Sequence, residues 1–109
     1  MPVIEEHRTP DGLLRFVIER DDDGDISLGF DGYPAHTHGD ILASQSGLPV
    51  PEAVRDYVDR LLNGRSFICI ASVAGKIRDV WVTDDLRLDK YKPDNETVQF
   101  RFWDGRPVA

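Results

Sequence analysis

The sequence predicts an α+β domain: a curved antiparallel sheet of about six strands, in the order βββ-α-βββ, packed around one helix. Three observations carry this reading. Several short segments alternate apolar and polar residues with period two, one segment alone shows a helical period, and no repeated strand–helix alternation of the kind that builds a parallel sheet is present. A chain of 109 residues is about one domain, able to bury about two-thirds of its unfolded surface without a staple, so residues 1–109 are expected to share one core.

The elements follow in order. Val3 to Arg8 supplies a first strand, and Pro10-Asp11-Gly12 turns it into Leu14, Phe16 and Ile18, which alternate with Arg15, Val17 and Glu19. Asp21-Asp22-Asp23-Gly24-Asp25 is the next turn, followed by Ile26, Leu28 and Phe30 alternating around Ser27 and Gly29. The segment from Asp31 to Asp40 carries two glycines and a proline and reads as irregular backbone; Ile41-Leu42-Ala43 reads as a short strand or turn. From Pro51 to Asn63 the period changes. Val54, Tyr57, Val58, Leu61 and Leu62 make one apolar stripe, Pro51 suits the first helical position, and Gly64 suits the residue just past the end.

Ser66 to Ala74 is apolar on both alternating sets, as in a central strand covered on both faces. Only one helix is available, so sheet curvature, loops or a second copy of the chain must cover the other face, and a homodimer is one expectation. Ala74-Gly75-Lys76 turns into a strand from Ile77 to Thr83. Arg87 to Glu96 is a charged connection with Pro93-Asp94-Asn95 as its turn, and Val98, Phe100 and Phe102 alternate with Gln99, Arg101 and Trp103 in the last strand. With Phe100 and Phe102 set against the helix, Arg101 and Trp103 face outward, a residue pair enriched at binding hot spots. Trp81, Tyr33 and Tyr91 are further aromatic contact candidates, Trp81 with burial in the sheet as its expected place.

The net charge is −7, from 13 Lys+Arg and 20 Asp+Glu. Residues 1–50 hold ten acids and three bases, whereas residues 51–109 hold ten of each. The imbalance belongs to the first half. Such a surface repels a phosphate backbone and an anionic membrane, so nucleic-acid and membrane binding are not expected. The single cysteine, Cys69, lies in an apolar run and has no internal disulfide partner, which fits a reducing compartment. Met1-Pro2-Val3-Ile4-Glu5-Glu6 lacks the basic start and apolar core of a signal peptide, and a cytoplasmic location is expected.

Two motifs invite chemistry. In an extended His36-Thr37-His38-Gly39-Asp40, residues His36, His38 and Asp40 point the same way and offer two imidazoles and a carboxylate to a divalent metal, with open positions for a polarised water or carbonyl. This spelling resembles the start of the metallo-β-lactamase-fold hydrolase motif over five residues. Position 41 is Ile where that family places another histidine, and 109 residues cannot hold its four-layer fold, so the family is not assigned. A cupin-like reading fails for want of a later Gly…His half-motif. The acids from Glu19 to Asp25 resemble an EF-hand calcium loop, but the twelfth position is Phe30 and the flanks read as strands; a hairpin turn explains them.

No nucleophile elbow, Walker loop, dinucleotide fingerprint or Cys-x-x-Cys is present, and the adjacent Asp84 and Asp85 read as a solvated strand end. No catalytic residue is assigned, and a non-enzymatic role is favoured. Three functions are carried forward. The first is a small acidic interaction or inhibitor protein, antitoxin- or immunity-like in size and charge, that meets a basic partner protein through Asp21, Asp22, Asp23, Asp25 and Asp31, with Arg101 and Trp103 as further contacts. The second is a metal-binding protein or metal-dependent enzyme built on His36, His38 and Asp40. The third is a small-ligand-binding domain with its pocket between sheet and helix.

Overall fold

In the computed structural model, which describes residues 3–84 and 96–108, seven strands and two helices are found. They are β1 (Val3–Arg8), β2 (Arg15–Arg20), β3 (Ile26–Phe30), β4 (His36–His38), α1 (Gly39–Ser46), α2 (Val50–Leu62), β5 (Phe67–Val73), β6 (Lys76–Thr83) and β7 (Glu96–Arg101). The class is α+β, with every strand pair antiparallel. In place of one sheet of about six strands there are two: sheet A in the order β1-β2-β3-β4 and sheet B in the order β6-β5-β7. The division follows from the chain's path. After β4 it enters two successive helices, so β5 starts a new ladder instead of extending the first.

One core joins the layers. Phe16, Ile18, Leu28 and Phe30 from sheet A, Val58 and Leu61 from α2, and Ile68, Ile70 and Val80 from sheet B are all buried in it. The α2 stripe therefore faces the core as its period requires, with Leu61 fully buried. Proline occupies the first turn of α2, where a missing N–H costs nothing, and Gly64 takes the left-handed conformation just beyond the end at φ 75°.

Three expectations are corrected. The segment expected to be irregular contains β4, and Ile41-Leu42-Ala43 is neither strand nor turn but the middle of α1. That helix buries one large side chain, Leu42, so it has no apolar stripe to announce it; it ends at Gly47, whose left-handed φ of 76° lets its N–H reach the Ala43 carbonyl at 2.9 Å. In β7 the alternation is right but the faces are inverted. Arg101 lies opposite the core residue Ile68, and Phe100 lies opposite Cys69 on the other face. Trp103 accordingly packs against the core, while Phe102 meets Phe67 edge-on with ring centroids 5.5 Å apart. Trp81, expected inside the sheet, is half-buried.

Cys69 is fully buried in β5, and burial pushes its thiol up to about 12 from an ordinary value of 9.0. Between those two values the unfolded chain has released a proton that the folded chain keeps. Stability therefore falls as pH rises through this window, by at most about 1.4 kcal/mol per pH unit from this group. Urea unfolding at pH 8, 9 and 10 is expected to show a steeper decline in the parent chain than in Cys69→Ala; equal slopes would remove the thiol from the account.

Candidate functional site

The turn between β2 and β3 is built by its own aspartates. The Asp21 N–H donates to the Asp25 carbonyl at 2.8 Å and the Gly24 N–H to the Asp21 carbonyl at 2.9 Å, with Gly24 at φ 90° where a side chain would be strained. Asp23 accepts the Asp25 N–H at 3.0 Å, and Asp25 accepts the Ile26 N–H at 2.7 Å. The Ser27 hydroxyl donates to the Asp21 carboxylate, whose oxygens lie 2.7 and 2.9 Å away. Three of the four turn carboxylates thus hold backbone or hydroxyl donors, as in other polar turns, and Asp22 stands exposed.

β4 brings the histidines alongside. Its register sets His38 opposite Ser27 and His36 opposite Gly29, on the outer face of sheet A, because Leu28 between them is in the core. The His38 Nδ1 lies 3.2 Å from Ser27 Oγ, 3.6 Å from Asp21 and 3.8 Å from Asp25. Since the single Ser27 hydroxyl proton goes to a carboxylate, which can only accept, Nδ1 carries a proton and donates to Oγ. His36 Nδ1 likewise donates to the Pro34 carbonyl at 2.9 Å, so each neutral imidazole has its free lone pair on Nε2. The two rings meet edge to face, 4.9 Å between centroids.

Asp40 does not continue this strand. It lies in the first turn of α1, and the Asp25 carboxylate reaches the same helix end. The Ile26 N–H is the main cause that holds Asp25 below the usual carboxylate range, with Asp40 and the nearby His38 adding to it. A carboxylate at a helix N-terminus is favourably placed against the helix dipole. The expected common face of His36, His38 and Asp40 is therefore replaced by two histidines on a strand and a helix-end aspartate behind them. Among the described residues, no group of three or more His, Cys, Asp or Glu is arranged to hold a metal ion.

The remaining expected partner contacts lie apart from the turn. Asp31 sits at the opposite end of β3, where Arg15 pairs with it at 3.1 Å and also with Glu6. Arg101 is on sheet B, 3.7 Å from Asp11 and 3.1 Å from Gln99 Oε1, and Trp103 is packed inward. Asp85, Tyr91 and the turn at Pro93-Asp94-Asn95 lie outside the described residues.

Between the turn and Asp31, the outer face of sheet A is hollowed. Val17 and Gly29 are paired across β2 and β3 and floor a depression of about 260 Å³ walled by Glu19, Ser27, Tyr33 and His36. Ser27 and Gly29 escape a reading of the sequence because their role depends on β4, which is too short and too polar to be seen as a strand. The visible signal was the alternation that places both residues opposite the Ile26, Leu28 and Phe30 face. Comparisons of the chain with protein-family models, with curated proteins and with solved structures found no match. What is shown is thus an α+β fold that carries a carboxylate-rich turn beside a histidine-bearing strand.

Proposed function

We propose that this protein is a small acidic binding protein that holds a basic partner protein on the outer face of sheet A, the β2–β3 turn leading. One observation carries the reading. Asp21, Asp22, Asp23 and Asp25 gather at one end of the sheet beside Asp40, and among the described residues no lysine or arginine pairs with any of them, the one basic side chain within 4 Å being the imidazole of His38. An uncompensated group of carboxylates makes the local potential strongly negative, which steers an oppositely charged partner and sets its orientation more than it adds to final affinity. The hollow beside the turn, with Glu19 on its wall, offers a seat for a lysine or arginine side chain. A stoichiometric inhibitor of a basic protein, antitoxin- or immunity-like, fits such a surface.

The test uses a partner isolated on the parent chain and then purified. Its association rate should fall steeply with ionic strength, and Asp22→Asn/Asp23→Asn should slow association about tenfold at low salt while changing dissociation little. Asp22 makes no structural bond and Asp23 holds one turn N–H, so the fold is retained. Association that is indifferent to salt and to this substitution would overturn the reading. Purified protein that carries a stoichiometric divalent metal, lost in His36→Ala/His38→Ala, would do so in favour of the metal reading.

A further inference from the structure

The core face of sheet A is not wholly covered by α2. At the end that bears the acidic turn, a groove of about 380 Å³ lies open between β1 and the start of α2. Ile18 and Ile26 close its bottom, and its accessible walls are Ile4 from β1 and Val50, Pro51 and Val54 from α2. Ile4 is 48% exposed and is the extra residue of a bulge, with Val3 opposite Glu19 and Glu5 already opposite Ile18. β1 is also the edge of its sheet, so no strand among the described residues closes that side. One half-exposed aliphatic side chain needs no explanation, whereas four around one groove mark a seat for apolar groups of a partner.

The surrounding charge decides which partner. Gly24 belongs to the acidic turn and lines the same groove. On the far side, a Cβ built on Gly39 would lie 3.0 Å from Val50 Cγ1, 3.3 Å from the Ile26 Cβ and 3.4 Å from Asp25 Oδ1. A carboxylate of the turn and two apolar groups of the groove thus meet around one point. Two lining residues are charged: Glu5, which accepts from His7 Nε2 at 2.6 Å, and Arg20, the one cation set against Asp21, Asp22, Asp23 and Asp25. An apolar groove at an acidic turn, open along a sheet edge, is complementary to an extended segment in which aliphatic side chains alternate with lysine or arginine.

We propose that this groove takes two aliphatic side chains of an extended basic segment of the partner, laid beside β1 with its cationic side chains against the turn. The inference rests on the basic-partner reading above and names the part of the partner that is recognised. In a strand laid along a sheet edge, every second residue faces the same side, which sets the two aliphatic residues two positions apart. A dry cavity of about 150 Å³ takes a benzene ring, so the groove has room for both side chains. The turn stands at the end of the sheet, between the outer hollow and this groove, and one partner can reach both.

The experiment is an NMR titration of the full chain at low salt with two blocked pentapeptides, Lys-Leu-Lys-Leu-Lys and Lys-Ser-Lys-Ser-Lys. The leucine peptide is expected to bind about tenfold more tightly, with saturable amide shifts at Ile4, Gly24, Val50 and Val54. Ile4→Ser, at a half-exposed position that leaves the core intact, should reduce that preference to about threefold or less. Added salt should weaken both peptides alike. Equal affinities, or leucine-peptide shifts that miss these residues, would overturn the groove while leaving the basic-partner reading in place if both peptides stay salt-sensitive. No binding of either peptide would also overturn the groove as the partner's seat. A leucine preference that is lost in Ile4→Ser but indifferent to salt would keep the groove and remove the basic partner.

Discussion

Phe16→Ala is expected to lower the unfolding free energy by about 3–5 kcal/mol, the usual cost of truncating a buried phenylalanine. Phe16 is only 1% exposed. Its ring meets Phe30 edge-on at 5.2 Å and leans against Tyr57 at 6.3 Å, so it joins two strands of sheet A to α2 in one contact set. Packed on all sides, it would leave behind a void that its neighbours can close only by moving. Cost grows with residual cavity volume, which places this variant toward the upper end of the range. Native domains hold only about 5–15 kcal/mol in total, so a third or more of the stability is at stake. Thermal unfolding should shift by about 4 °C for each kcal/mol lost. Leu13→Ala, at a position 72% exposed, is the contrasting variant and should stay within about 0.5 kcal/mol of the parent. A Phe16→Ala loss below about 1 kcal/mol would mean that this ring is not packed as described.

The residues legible in the sequence are those whose period is set by one dominant packing partner. β2, β3 and α2 each bury a single regular face against the common core, so Phe16 and Ile18, Leu28 and Phe30, or Val58 and Leu61 recur at the spacing their element imposes. β4 is three residues long, and its one core-side residue is Thr37, opposite Leu28; no period can be read from so short a strand. α1 is written by its ends alone, with Asp40 in the first turn and Gly47 past the last, around one buried leucine. In β7 both alternating sets contain large aromatics. Only the pairing of Arg101 with Ile68 and of Phe100 with Cys69 decides which set faces the core, and pairing is a long-range fact. The candidate site divides the same way. The carboxylates were visible as composition and the histidines as a motif, whereas the place of Ser27 between them, and of Asp25 at the α1 terminus, required the strand and helix that the sequence concealed.

Gly29→Val tests that hidden strand. A valine in the middle of a strand ordinarily gains stability over glycine, by about 0.5–1 kcal/mol from backbone freedom alone, because glycine loses more entropy on folding. Here the opposite sign is expected. A Cβ built on Gly29 would lie 2.9 Å from the Ala35 carbonyl oxygen and 3.0 Å from the His36 Cβ. Backbone and Cβ atoms of β4 cannot rotate away as the end of a long side chain can, so β4 itself must shift. With it go the pairings of Gly29 with His36, Leu28 with Thr37 and Ser27 with His38, together with the Ala35 bond to Asp79. Overpacking of about 1–3 kcal/mol plus one or two lost hydrogen bonds gives a net cost of about 2–4 kcal/mol after the entropic gain is subtracted. Gly29→Ala should lose less but still lose, since the clash begins at Cβ. Urea unfolding measures the cost, and the His38 ring resonances report whether that side chain has left Ser27 and Asp21. The acidic turn itself is closed by its own backbone bonds and should survive. A basic partner would then meet the same carboxylates without the histidine strand beside them. If both variants were more stable than the parent, the close approach of β4 to β3, and with it the placing of His36 and His38 on this face, would be wrong.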